Sequence, residues 1–173
     1  MGKAIERELD VLGTACPQDH LNNDEATRHA FLDGRFRSGD LGFFYGGELY
    51  FYGRRDDMIS VGGRNIVPDD IEGLAEELPF IRPTTTCLIG IENASQGTTE
   101  LVLLVEMSPL TGAETLKDYA MTVQRHIYSE LVVLLTHVLF CPKGTIEKTS
   151  SGKKRRKIIR TRLMNRHIET IGT

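Results

Sequence analysis

The sequence has no tryptophan, and only six prolines and three cysteines among its 173 residues. Cys16, Cys87 and Cys141 are odd in number and widely scattered, with no C-x-x-C pair. Neither a disulfide scaffold nor a cysteine-rich metal site is indicated, and the thiols read as the reduced cysteines of a cytoplasmic protein. No apolar stretch approaches the roughly 20 residues that cross a bilayer. After its lysine, the segment Met1-Gly-Lys-Ala-Ile-Glu6 lacks the apolar run of a secretory signal. Glu6 also stands where a myristoylation signal needs Ser or Thr. Long repeats and low-complexity segments are missing as well.

What is present suits one domain, or one small domain with an appendage. A 40% hydrophobic and 26% charged composition is ordinary for a chain that buries a core. The formal net charge of −3 hides an asymmetry. Residues 143–166 hold ten of the 21 Lys and Arg but only one of the 24 Asp and Glu, Glu147. That segment therefore carries +9 and the remainder −12. Such a block reads either as a nucleic-acid or anionic-membrane surface, or as a solvated helix face beside an anion site.

The patterning predicts a small α+β fold, with a short β-sheet packed by helices. A short helix is expected over Glu6–Leu12 and another over Asp24–Phe31, capped by Asn22 or Asn23, with Asp33-Gly34 as a turn. Leu41–Tyr45 and Glu48–Tyr52 are aromatic-rich runs joined by Gly46-Gly47, a strong hairpin signal. Met58–Val61 reads as a short strand and Gly62-Gly63 as a turn. Pro68 opens a helix to Leu78 that buries Ile71, Leu74 and Leu78, with Asp69, Asp70 and Glu72 at its positive end. Thr85–Ile91 and Glu100–Glu106 form a second hairpin across the polar segment Asn93–Thr99. Leu116, Ala120, Val123, Ile127 and Leu131 recur at helical spacing over Glu114–Glu130. Val138–Phe140 is a further strand, and a last helix carries Ile158, Ile159, Leu163 and Ile168.

Gly144-Thr-Ile-Glu-Lys-Thr-Ser-Ser-Gly-Lys153 is the stretch that carries chemistry. Its glycines permit unusual backbone angles, and Thr149, Ser150 and Ser151 offer hydroxyls to cap the helix that follows. Lys153 is a compact cation on a flexible stem, suited to negative charge building on a phosphate or carboxylate oxygen. On spacing alone it equally describes a solvated lysine beside a capped helix.

Three stretches occur together in order: Arg37-Ser-Gly-Asp-Leu-Gly42, Gly53-Arg-Arg-Asp-Asp-Met-Ile59 and Lys148-Thr-Ser-Ser-Gly-Lys153. Jointly they resemble the C-terminal end of the adenylate-forming synthetases, a family that includes acyl-CoA synthetases, peptide-synthetase adenylation domains and luciferases. The resemblance covers about residues 20–165. It is greatest to the fatty acyl-AMP ligases, whose G-R-N-x-x-P-x-D-I-E run is matched by Gly63-Arg64-Asn65, Pro68, Asp70, Ile71 and Glu72. Two positions depart from the family. Ser60 stands where many CoA-forming members have lysine, which weighs against a CoA ligase. Glu147 stands where the family usually has proline, which bears on how firmly the loop is held and on the potential near Lys153.

The resemblance implies an ATP-dependent ligase that joins a carboxylic acid, here a fatty acid, to AMP and then passes the acyl group to the thiol of CoA or phosphopantetheine. Mg2+ would arrive through the nucleotide rather than on ligands of this chain. Asp40 would bind the ribose hydroxyls; its plain alternative is a turn-capping aspartate after Gly39. Arg54 would contact the nucleotide; its alternative is a surface ion pair with Asp56 or Asp57. Asp56 would be the hinge, and Lys153 would reach the acyl carboxylate and α-phosphate. Residues 1–55 would be the end of the large adenylation domain, with the hairpin 41–52 as its remnant, and 56–173 the mobile C-terminal lid. The family's Ser/Thr/Gly-rich phosphate loop has no counterpart in this sequence, so the chain alone is expected to be inert. The hairpin would then expose aromatic surface and favour a dimer. The basic block would surround an ATP site or meet an acyl carrier protein, and the nucleic-acid reading is set aside. A rival of a different class is a non-catalytic adenylation-like module that binds a carrier protein.

Overall fold

The computed structural model describes residues 6–11, 31–32, 35–93 and 97–171. The chain divides into two compact units, Met1–Met58 and Ile59–Thr173. The expected helix within Asp24–Phe31 lies outside the described residues except for Phe31, which is in a strand. The Asp33-Gly34 turn also lies outside them.

In the first unit, β1 (Glu6–Val11), β2 (Phe31–Leu32) and β4 (Glu48–Arg54) all pair antiparallel with the long strand β3 (Arg35–Tyr45). Of the helix expected over Glu6–Leu12, the described part, Glu6–Val11, is therefore a strand. Glu8-Leu-Asp-Val11 alternates polar and apolar residues, which is a strand period, and pairing with β3 overrides the helical propensity of the glutamates and leucines. The predicted hairpin between β3 and β4 is present, and Gly46 and Gly47 have φ of 62° and 88°. Both central residues of such a tight hairpin turn need left-handed angles, which is why two glycines stand there. A one-turn 3-10 helix, Arg55–Asp57, follows β4.

The second unit begins with a ribbon, β5 (Ile59–Val61) and β6 (Arg64–Ile66), closed by Gly62-Gly63. Helix α1 (Pro68–Glu76) follows, with Pro68 at its start. The main sheet has the order β7 (Thr86–Asn93), β8 (Thr98–Glu106), β9 (His137–Cys141). Strand β7 runs antiparallel to β8, and β9 runs parallel to it after the crossover helix α2 (Ala113–Leu131). A parallel return needs such a crossover, which is what the long helical period between Glu114 and Glu130 supplies.

Successive residues of a strand face opposite sides, and the central strand β8 is buried on both. Leu101, Leu103 and Val105 join Leu88, Phe140, Ile71, Ala75, Leu116, Val123 and Ile127 on the face covered by α1 and α2. Leu104 joins Cys87, Ile89, Cys141, Ile146 and Ile159 on the other face. Ile159 comes from helix α3 (Arg156–Met164). The last helix is shorter than expected: it ends before Ile168, which is buried beyond it, and Ile158 points to solvent. In α1, Ile71 is fully buried as expected while Leu74 and Leu78 are half-buried. The unexpected buried residue there is Glu72.

Candidate functional site

The glycine-lysine loop leaves β9 through Pro142 and is tied down at once. Glu106, at the end of β8, accepts hydrogen bonds at Oε1 from the N–H groups of Gly144 (2.9 Å) and Ile146 (2.8 Å). Ile146 is buried and plugs the base of the loop into the core. The chain then doubles back on itself. Arg155 N–H donates to Glu147 O at 2.9 Å and Thr149 N–H to Lys153 O at 2.8 Å, with a bridge between Lys148 and Lys154. The tip is closed by Gly152 N–H donating to Thr149 O at 2.9 Å, with Gly152 at φ 82°. This left-handed angle costs a side-chain-bearing residue about 1–2 kcal/mol, which glycine avoids.

The hydroxyls do not cap the next helix, as the sequence suggested. Thr149 Oγ1 accepts from Lys153 N–H at 3.1 Å and lies 2.9 Å from Ser151 Oγ. Helix α3 starts three residues after Lys153, and its N-cap residue Arg155 makes no side-chain capping bond. The left-handed Gly152 turns the chain back before any helix can start, so the hydroxyls close their own turn. Lys153 stands exposed beside this tip, and its ammonium has no partner among the described residues.

At least five of the ten Lys and Arg of the basic block are engaged by partners within the second unit. Lys148 Nζ donates to Thr84 O at 2.7 Å. Lys154 pairs with Glu72, and Arg156 pairs with both Glu72 and, at 2.6 Å, Asp69. Arg162 pairs with Glu147 at 2.6 Å and Arg160 with Glu92 at 3.4 Å. Glu147 thus ties the loop to α3. For Arg156, burial alone would push the guanidinium down, but hydrogen bonding to Glu72 and its negative charge more than compensate and hold it up. Cys87 and Cys141 are poor nucleophiles. Burial, followed by the Glu72 charge, pushes Cys87 up to about 12. Burial pushes Cys141 up to about 11 against a hydrogen bond with Thr145 that lowers it.

In the first unit, Asp40 and Arg54 are cross-strand partners on β3 and β4, and Arg54 Nε donates to Asp40 Oδ1 at 2.9 Å. Asp40 lies within a strand, and Arg54 makes a surface ion pair with it. Asp40 is engaged by Arg54 through one oxygen, which leaves acceptor capacity on a half-buried carboxylate. A guanidinium held in this way presents its remaining N–H groups in a fixed plane. Asp56 is exposed in the 3-10 turn, two residues before the division at Met58. Among the described residues, no three His, Cys, Asp or Glu side chains cluster as a metal site would require. No described helix is long and apolar enough to cross a membrane.

Sequence reasoning places Glu72 at the close of the G-R-N-x-x-P-x-D-I-E run and at the positive end of a helix, and Glu106 at a strand end, but it assigns neither a structural role. The available signal for Glu72 was its position one residue after Ile71, on the side of α1 adjoining the buried stripe.

No family model matches the chain. Over 123 residues it is 35% identical to the probable long-chain-fatty-acid--AMP ligase FadD30 of Mycobacterium tuberculosis, an alignment covering 68% of this chain and 20% of that protein. Over 108 residues it is 32% identical to a 2-succinylbenzoate--CoA ligase of Bacillus licheniformis, covering 62% of this chain and 22% of the relative. Among solved structures, one from a study of fatty acyl-adenylate ligases of E. coli and L. pneumophila superimposes with a TM-score of 0.74 at 27% identity. That match covers 94% of this chain and 28% of the other. The chain spans about a fifth of the length of these curated relatives. In sequence and in fold it is a relative of the adenylate-forming synthetases and corresponds to their C-terminal part.

Proposed function

We propose that the chain acts as the C-terminal part of an ATP-dependent acid–AMP ligase whose acid substrate is a fatty acid. In the first half-reaction a carboxylate oxygen attacks the α-phosphorus of ATP, the bond to pyrophosphate breaks, and acyl-AMP forms. In the second, a thiol attacks the acyl carbonyl carbon and AMP leaves with the bonding electrons, giving a thioester. Asp40 accepts hydrogen bonds from the ribose hydroxyls, Arg54 holds Asp40 and faces the nucleotide, and Lys153 offsets the charge that grows on the carboxylate and α-phosphate oxygens. Asp56 lies at the pivot between the end of the large domain (1–55) and the lid (56–173). Mg2+ travels with the nucleotide. CoA or a carrier protein's phosphopantetheine supplies the thiol, and the cytoplasm is the setting.

The observation that carries this reading is Lys153: an exposed ammonium with no partner among the described residues, at the tip of a turn whose flanking lysines, Lys148 and Lys154, are both engaged. The remaining pocket would come from a large domain preceding these motifs, so the chain alone forms no acyl-AMP. Joined to the large domain of a fatty acyl-AMP ligase, wild-type chain is expected to restore acid-dependent pyrophosphate exchange. Lys153→Ala should lower that exchange about a hundred- to thousandfold, the range for one preorganised donor. Exchange that is indifferent to Lys153 would remove it from the mechanism and leave the carrier-binding module as the better reading. On its own, the chain is proposed to dimerise through its exposed hairpin.

A further inference from the structure

Lys153 and Lys154 are neighbours in sequence with opposite fates. The Lys153 side chain faces solvent, whereas the Lys154 side chain is only 15% exposed and its ammonium pairs with Glu72 Oε2. The carboxylate it meets is itself 3% exposed. Glu72 Oε1 accepts from Leu88 N–H of β7 at 2.6 Å and from Arg156, the first residue of α3. One buried carboxylate on α1 therefore binds the edge of the main sheet, the residue after Lys153, and the start of the following helix. The two lysines alternate as residues of an extended segment do, so seating Lys154 inward turns Lys153 outward.

We propose that Glu72 is a positioning residue for Lys153, acting through Lys154 and, at the next turn of chain, Arg156. This deepens the assignment above and rests on Lys153 being the catalytic cation. A lysine stem has four rotatable bonds, so its ammonium is placed well only if its root is fixed. Misplacement by about 1 Å can lower a rate about a hundredfold. The other outer supports of the loop are Glu147–Arg162, whose side chains are 38% and 36% exposed, and Lys148 on a surface carbonyl. Solvent-screened contacts of that type hold a loop weakly. Glu72 combines burial, charge and three donors on one residue, and charge-assisted bonds in such a setting are the strong ones. Glu106 anchors the loop's entry through backbone N–H groups and leaves the exit, where Lys153 sits, to Glu72.

Glu72→Gln leaves two buried cations short of charge and can unfold the chain, so Lys154→Met is the primary variant, with Lys154→Arg as the conservative rescue. In the full chain, amide hydrogen exchange at Gly152 and Lys153 should speed at least tenfold in Lys154→Met, while Leu103 and Val105 in β8 keep wild-type protection. Lys154→Arg should restore slow exchange. In the chain joined to a large domain, Lys154→Met should lower kcat for acyl-AMP formation about ten- to hundredfold, with KM for ATP and acid nearly unchanged, and Lys154→Arg should recover most of it. Wild-type exchange and kcat in Lys154→Met would overturn the proposal, as would a loss shared by the whole sheet and matched by a lower Tm. If even the wild-type assembly shows no Lys153-dependent adenylation, the functional assignment fails by itself. The exchange measurement alone then decides whether Glu72 holds this loop.

Discussion

The two units use strands of similar apolar content to different ends. Glu48-Leu-Tyr-Phe-Tyr52 and Glu100-Leu-Val-Leu-Leu-Val-Glu106 would both be read as core strands. In the second unit Leu103 is fully buried, while in the first Phe44 and Phe51 remain 65% and 62% exposed. On the hairpin, Phe44 faces Leu49 across the pair and Phe51 follows two residues later, so these three share one face, while the exposed Tyr45 and Tyr50 lie on the other. Phe43 and Tyr50 stack on the opposite side with ring centroids 5.3 Å apart. Apolar content alone therefore does not say whether a strand is covered within its own chain. A helix must come back over it, as α1 and α2 do over β8, and nothing described here does so for the Phe44 face. Contiguous exposed apolar surface of this kind marks a contact site.

The sharpest way to break the comparison is to truncate both sides of it. Leu103→Ala should cost about 2–5 kcal/mol of unfolding free energy in urea titration, because a fully enclosed side chain leaves a cavity. An effect below about 1 kcal/mol would mean that the main sheet is not the stable core. Next comes Gly90 on β7, where an added Cβ would lie 2.5 Å from Cγ2 of Ile59. Gly90→Ala should destabilise by about 1–3 kcal/mol, and shortening the neighbour in Gly90→Ala/Ile59→Ala should recover part of it.

Val132 ends α2 in the left-handed region at φ 55°, an unfavourable place for a β-branched residue. Arg64 donates to the adjacent carbonyls of Leu131 and Val132 at 3.3 and 3.2 Å and secures that end. Val132→Gly should raise stability by about 0.5–1 kcal/mol, read as a higher Tm, since relieved strain exceeds the added flexibility of the unfolded chain. The two buried thiols give a pH dependence confined to the second unit. Cys87 is held up at about 12 and Cys141 at about 11, against 9.0 for an exposed thiol. Above pH 9 the unfolded chain loses these protons first, so their contribution is intact below pH 9 and fades as pH rises through 11 and 12. Cys87→Ala should flatten that alkaline decline in denaturation measurements.

The smallest effect on stability is expected on the hairpin. Phe44→Ser and Phe51→Ser should change unfolding free energy by no more than about 0.5 kcal/mol. Both should lower binding of a hydrophobic dye and shift sedimentation of the isolated chain toward monomer. An unchanged sedimentation profile would leave the exposed face without a role in self-association.

Much of the second unit was legible because its signals are local: the Gly62-Gly63 turn, Pro68 at a helix start, and the regular spacing from Leu116 to Leu131. The Gly46-Gly47 hairpin was legible for the same reason. What stayed hidden depends on distant partners. In Glu6–Val11 a short strand alternation competes with helical propensity and is decided by pairing with β3, and β9 lies parallel to β8 through contacts no short window contains. At the candidate site, sequence pointed to Lys153, Asp40 and Arg54, but not to the direct bond between the last two. It named Glu72 as a motif residue but missed its burial, since a buried glutamate differs from a solvated one only by cations that lie 82 and 84 residues away.

The alternation that sends one lysine outward and the next inward makes the loop tolerant of spelling and intolerant of length. Exchanging Ser150 or Ser151 for other small polar residues leaves the parity of the chain intact. Removing a single residue between Thr149 and Gly152 would break the tip that the Gly152 N–H closes onto Thr149 O, and set the Glu72 anchor of Lys154 against the strand before it, with every remaining amino acid still correct.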